Sequence, residues 1–252
     1  MQNNPYPLPP PPHHEFHAPV DLFAAAADAD ARAGFIMKTY LYLLGAIAAF
    51  IVLETLVFTI VGLENLAVYT FATLGTSKFS WLIVLGAFMV VSWIAQNWAS
   101  SDTSPAMQHA GLGVYVVANV LIFIPLLCLA YVHGGGLPTI ISAATATAAL
   151  FGMLTVAVFI TRKDFSFLRS FLTFGGLAAF GFIITAIYFD FALGPIFIYA
   201  MIALMCGYIL YHTSNILHHY RIGQHVAASL ALFGSVMTLF WYILQLFLSR
   251  GE

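Results

Sequence analysis

Beyond residue 34 the chain is a succession of long apolar runs separated by short polar breaks. Seven runs, at 35–62, 79–98, 111–132, 138–161, 171–189, 194–217 and 226–248, have spanning length. A helix rising 1.5 Å per residue needs about 20 apolar residues to cross the hydrocarbon core. The pattern therefore predicts an all-α polytopic membrane protein, a seven-transmembrane-helix bundle. A further stretch, 66–74, is moderately apolar but too short to cross. It is expected to lie at the interface or to extend the second span. The alanine-rich stretch 24–33 reads as a short helix leading into the membrane.

Composition agrees with this reading. Of 252 residues, 62% are hydrophobic and 7% charged, where a soluble domain carries about 25% charged residues. A chain this apolar can cover its surface only with lipid. Seven of the eleven prolines fall in the first 19 residues, a composition that favours solvated polyproline II and builds no core. Residues 1–34 are therefore expected to form a Pro-rich, disordered cytoplasmic tail, with His13, His14 and His17 as polar tail residues or weak metal ligands. Residues 35–250 form the membrane domain. Cys128 and Cys206 both sit in apolar runs and read as packed thiols, with no CxxC pair. Net charge is −2, which supplies no basic face for nucleic acid. With the N-terminus inside, one side holds Arg32, Lys38, Arg162, Lys163, Arg169 and Arg221 and the other Lys78 and Arg250. Six basic residues against two put the N-terminus in the cytoplasm and the C-terminus outside.

Packing and chemistry are read from the exceptions to apolarity. Ala144, Ala148 and Gly152 make a small-residue stripe suited to close helix packing. Pro125 is a kink position and Pro195 a helix start. Polar residues in a span are costly to bury, so each invites a role. Glu54 belongs to an ion or proton path, or faces the headgroups, or is held neutral by a hydrogen bond. Asn119 suits an interhelical hydrogen bond. Asp190, at the end of the fifth span, either gathers cations at an outer mouth or is a solvated loop residue. His212, Thr213, Ser214 and Asn215 make a polar girdle near the inner end of the sixth span, followed by His218, His219, Arg221 and His225. The next span carries Gly234, Ser235 and Thr238. Two helices joined by a short loop are antiparallel neighbours, which places His212 and Ser235 at comparable depth.

Three motifs carry a resemblance. Tyr208-Ile-Leu-Tyr-His-Thr-Ser-Asn-Ile resembles the sixth-helix signature Y-I-L-Y-D-T of the Bax inhibitor family. Thr161-Arg-Lys-Asp-Phe-Ser-Phe-Leu resembles that family's T-K-R-D-F-S-F-L loop, and brings Arg162, Lys163 and Asp164 into the motif. Ala231-Leu-Phe-Gly-Ser-Val-Met-Thr-Leu-Phe resembles its last helix, A-L-Y-L-D-I-I-N-L-F. The resemblance covers about residues 35–248. It implies a bundle with a central last helix and a pH-responsive leak for calcium or another cation. In eukaryotic relatives it implies suppression of cell death. The pH response is attributed to two carboxylates, one on each of the last two helices, which in contact cannot both ionise and so share a proton. This sequence departs from the pattern at both positions, with His212 and Ser235 in their place. A single histidine that changes charge from zero to +1 is the replacement switch; a structural histidine is the alternative.

The pH-sensor or pore candidates are thus His212, Ser235, Glu54, Asp190, Thr213, Asn215 and Thr238. A regulatory membrane protein without transport is a second reading. An intramembrane hydrolase built on His212 and Ser235 is a third, weakened by the absence of G-x-S-x-G and of a third ligand. No enzyme activity and no cofactor is expected. The expected partners are membrane lipids and a cation, in a prokaryotic plasma membrane.

Overall fold

A computed structural model describes residues 23–75, 77, 79–101 and 104–250. The start of the tail, with His13, His14 and His17, and Lys78 lie outside the described residues. Among the described residues the chain forms a 3-10 turn, Ala24–Ala26, and eight α-helices. These are α1 (Ala29–Val61), α2 (Leu63–Leu74), α3 (Ser80–Ala99), α4 (Pro105–His133), α5 (Leu137–Thr161), α6 (Leu168–Phe189), α7 (Pro195–His218) and α8 (His225–Arg250). All but α2, which has 12 residues, are long and apolar enough to cross a membrane. Each apolar run became one helix, and the short stretch became α2.

Two helices begin well before their apolar runs: α1 by six residues and α4 by six. Hydropathy marks where hydrocarbon begins, whereas the helix ends where its capping chemistry lies. Pro105 occupies the first position of α4, where its missing N–H and fixed φ suit a helix start. Pro195 does the same for α7. The expected helix over 24–33 is divided: the 3-10 turn ends at Ala26 and α1 starts at Ala29. α1 stops at Gly62, whose φ of 81° lets the chain turn into α2, and Asn65 donates to the Val61 carbonyl at 2.9 Å. α5 stops at Arg162, a non-glycine residue at φ 49°, whose N–H still reaches the Val158 carbonyl. α4 runs through Pro125 as one helix.

α8 lies at the centre. It packs on α1, α3, α4, α5 and α7, and 78% of its apolar window is buried, against 11% for α6. α6 packs chiefly on α7 and leaves most of its surface to lipid. Alternate crossing gives the bundle two faces. The N-terminal face carries the start of α1 and the α5–α6 and α7–α8 loops; the C-terminal face carries the α4–α5 and α6–α7 loops and the end of α8. The expected small-residue stripe on α5 does not pack: Ala144 and Ala148 are exposed, and no atom outside the helix lies within 4 Å of a Cβ built on Gly152. The buried face of α5 is that of Ala143, Thr147 and Val158. Close approach occurs instead between α3 and α4, at Gly111.

Candidate functional site

On the N-terminal face two sequence motifs that were read separately meet. The α5–α6 loop folds back on the end of α7. The Phe165 N–H donates to Ser214 Oγ at 2.9 Å, and that hydroxyl in turn points at the Lys163 carbonyl, 3.3 Å away. Asp164 Oδ1 accepts the Ser166 N–H at 2.8 Å, while Oδ2 lies 3.0 Å from His219 Nε2. Partial desolvation pushes the Asp164 carboxyl up. The Ser166 N–H and then His219 outweigh it and hold the group below the usual carboxylate range. Arg162 is exposed and serves as the left-handed end of α5. The same face is crossed by the chain entering α1: the Ala24 N–H donates to the Tyr220 carbonyl at 2.9 Å and Phe23 bridges Arg221. The Arg221 guanidinium lies 5.7 Å from the Phe23 ring centre, and Ala24 is fully buried.

One turn deeper the polar girdle is divided. His212 stacks on Tyr208 with ring centres 5.8 Å apart, and its Nδ1 is buried without a partner. Thr213 is fully buried, and the Tyr40 hydroxyl from α1 approaches its hydroxyl and that of Thr155 from α5. None of the three completes a hydrogen bond of standard geometry. The Asn215 carbonyl accepts the His219 and Tyr220 N–H groups at 2.8 and 2.9 Å, which ends α7. Ser235 is buried on α8 and donates to the Ala231 carbonyl of its own helix at 3.0 Å. No hydrogen bond joins His212 to Ser235, so the two do not form a nucleophile–base dyad in this arrangement. Among the described residues no three His, Cys, Asp or Glu side chains converge to hold a metal.

The C-terminal half holds a cavity of about 710 Å³. It runs from His133, Leu248 and Ser249 at the C-terminal face to Asn119 and Thr238, half-way along α4 and α8. Its walls are aromatic. Trp81 stacks on Trp241 at 6.2 Å, and Phe123 meets Phe240 at 5.5 Å and Trp241 at 5.1 Å. Its polar groups are amides, hydroxyls, indole N–H groups and the His133 imidazole at the mouth, with no Asp, Glu, Lys or Arg. Below Thr238 the passage is shut. The Tyr115 ring packs edge-on against Phe233 at 5.9 Å, and a Cβ on Gly234 would come within 2.6 Å of its hydroxyl.

The other predicted positions fall elsewhere. Asp190 is exposed and ends α6 at φ 57°; it lines a shallow 280 Å³ pocket with Ala186 and Phe191 that shares Leu193 with the larger cavity, whose own lining does not include Asp190. Glu54 is buried on α1 and also lies outside the cavity lining. Tyr115, Trp241 and Phe123 escaped the sequence reading. In a chain rich in apolar aromatics only the polar tip of Tyr115 marked it, since a buried hydroxyl calls for a partner.

A family model described as Inhibitor of apoptosis-promoting Bax1 matches residues 32–252. The chain belongs to the Bax inhibitor family. It is similar to Protein LIFEGUARD 4 of Arabidopsis thaliana, with 29% identity over 86% of this chain and 85% of that one. It is also similar to Bax inhibitor 1 of Schizosaccharomyces pombe, 35% identical over 42% of this chain and 41% of the relative. An uncharacterized protein of Pseudomonas aeruginosa shares 29% identity over 64% of this chain and 68% of its own. No solved structure matches significantly. As a family member the chain carries its matched region over all seven spans, so the bundle, the α5–α6 loop and the α7 and α8 motifs lie inside the family domain.

Proposed function

We propose that this Bax inhibitor family protein is a passive leak for calcium or another cation, held closed in the arrangement described above. The observation that carries this reading is the cavity that enters from the C-terminal face and ends at Asn119 and Thr238, one helical turn short of the Tyr115–Gly234 contact. Calcium bound directly takes six to eight oxygens, usually with carboxylates among them. A lining without carboxylates, with amides and hydroxyls at its floor, suits a hydrated cation and weak selection. The bias of basic residues supports a cytoplasmic N-terminal face, and the reading takes the membrane to be a prokaryotic plasma membrane.

His212 and Ser235 stand where the family resemblance leads one to expect an acidic pair, so sharing of one proton between two carboxyls does not operate here. His212 is instead the single titratable group of the girdle, with a buried Nδ1 free to change partner. Charge appearing on its ring loosens the packing of α7 on α8. Purified protein in vesicles loaded with a calcium-sensitive dye tests this. Wild-type flux is expected to change as pH is lowered from 7 to 4, and H212A to lose that dependence. Identical pH profiles for the two would remove His212 from the mechanism. The closure at Tyr115 also favours a second reading, a regulatory protein without transport; vesicles that pass no cation at any pH would select it.

A further inference from the structure

Among the acidic residues that the structure describes, Glu54 is the one set deep in the packed face of a spanning helix. The buried residues of α1 are Phe35, Thr39, Leu43, Ala46, Phe50 and Glu54, a stripe at three- and four-residue spacing. Glu54 thus occupies the position of the next core residue. It is 6% exposed, and neither carboxyl oxygen has a partner. One turn earlier Phe50 meets Phe123 of α4 edge-on at 5.2 Å. From α4 the fully buried thiol of Cys128 lies close enough to feel the carboxyl's charge. No basic side chain of α2, α4 or α8 pairs with it among the described residues. Glu64 of α2 is exposed.

A carboxylate at such a place needs a counter-charge or several donors. A divalent cation needs many more oxygens than one carboxyl provides. The ligand that fits the available chemistry is a proton. We propose that Glu54 is a membrane-embedded carboxylic acid, a proton-binding site at the α1–α4 contact that apolar carbodiimides reach from the bilayer when that contact opens transiently. Its flanks on α1, Ile51, Val52 and Leu56, are exposed apolar residues that face lipid. The site lies seven residues from the end of α1, roughly 10 Å, towards the C-terminal face. His212 lies near the opposite face, so the two groups are distinct. The proposal does not depend on transport and stands if no cation crosses.

The test treats the full chain in lipid vesicles with N,N′-dicyclohexylcarbodiimide, followed by intact mass and peptide mapping. One adduct at Glu54 is expected, falling away as pH rises and absent from E54Q. Infrared difference spectra of wild type and E54Q are expected to show a carbonyl band of a protonated acid in the wild type alone. The proposal is overturned if Glu54 stays unmodified, a water-soluble carbodiimide labels Glu64, and no acid band is lost in E54Q. Should E54Q fail to fold, titration of the wild-type band decides. A band surviving well above the usual carboxyl range of about pH 4 supports the site, and a band lost with the exposed carboxyls overturns it.

Discussion

Asp164 accepts the Ser166 N–H with one oxygen and faces His219 with the other, although 45% of its side chain meets solvent. Exposure makes the pair with His219 worth little by itself. Its role is to orient a loop whose firm anchor is the buried Ser214 hydroxyl under the Phe165 N–H. S214A leaves that N–H without an acceptor, at a cost of about 1–3 kcal/mol. The Phe165 amide should then exchange with deuterium roughly tenfold faster or more, while amides of α8 keep wild-type protection; unchanged Phe165 exchange would show that the hydroxyl does not hold the loop. The pH behaviour follows from the sign of the Asp164 shift. A carboxyl held below its ordinary range contributes fully above the unfolded value of about 3.9 and loses that contribution as pH falls through the lowered folded value. Loop exchange corrected for intrinsic rate is therefore expected to show no Asp164-linked change from pH 7 to 5 and to rise only below about pH 4. The D164N protein should already be loose at pH 7, and its exchange should lack the acid step.

At the scale of the helices, the approach of α3 to α4 rests on a missing side chain. A Cβ on Gly111 would come within 2.6 Å of the Ala95 carbonyl oxygen and 2.7 Å of the Ala99 nitrogen. Both are backbone atoms of a helix and neither can rotate away. G111A is expected to lower stability by about 1–3 kcal/mol, the usual range for overpacking. G152A meets open space and gains the helix preference of alanine, up to about 1 kcal/mol. Thermal unfolding in detergent should order the proteins G152A, wild type, G111A; equal midpoints for G111A and wild type would mean that α3 and α4 can part freely. The contrast also marks how far the sequence was legible. Apolar length placed all seven spans, because crossing hydrocarbon imposes a length that composition displays directly. The stripe at Ala144, Ala148 and Gly152 misled, because lipid accepts small residues as readily as a partner helix does. Which face of a helix turns inward depends on its neighbours, and spacing along one helix carries no information about them. For the same reason His212 and Ser235 were legible as positions, while their separate partners, Tyr208 and the Ala231 carbonyl, were not.

For the molecule as a whole, the central helix decides what the bundle can do. α8 lines the cavity along one side with Thr238, Trp241, Tyr242 and Gln245, and one turn below it Phe233 and Gly234 pack against Tyr115. The Tyr115 ring over Gly234 is the first packed layer below the cavity, and Leu230, Leu232 and Phe233 of α8 stay buried beneath it. Any shift of α8 that withdraws Gly234 frees the Tyr115 hydroxyl, and the ring then has room to turn. Two substitutions separate this arrangement from a passive packing defect. Y115A removes the ring and should raise cation leak in vesicles several-fold, with weak discrimination between calcium and monovalent ions because the lining carries no carboxylate. T238W fills the cavity floor above the ring and should lower flux in both backgrounds, wild type and Y115A. Each variant is first required to elute as a single species with a cooperative unfolding transition, so that loss of fold is not read as loss of gating. If Y115A leaks no more than wild type, the barrier lies nearer the N-terminal face, at the girdle of His212 and Thr213. If T238W leaves the Y115A leak unchanged, ions do not pass through this cavity.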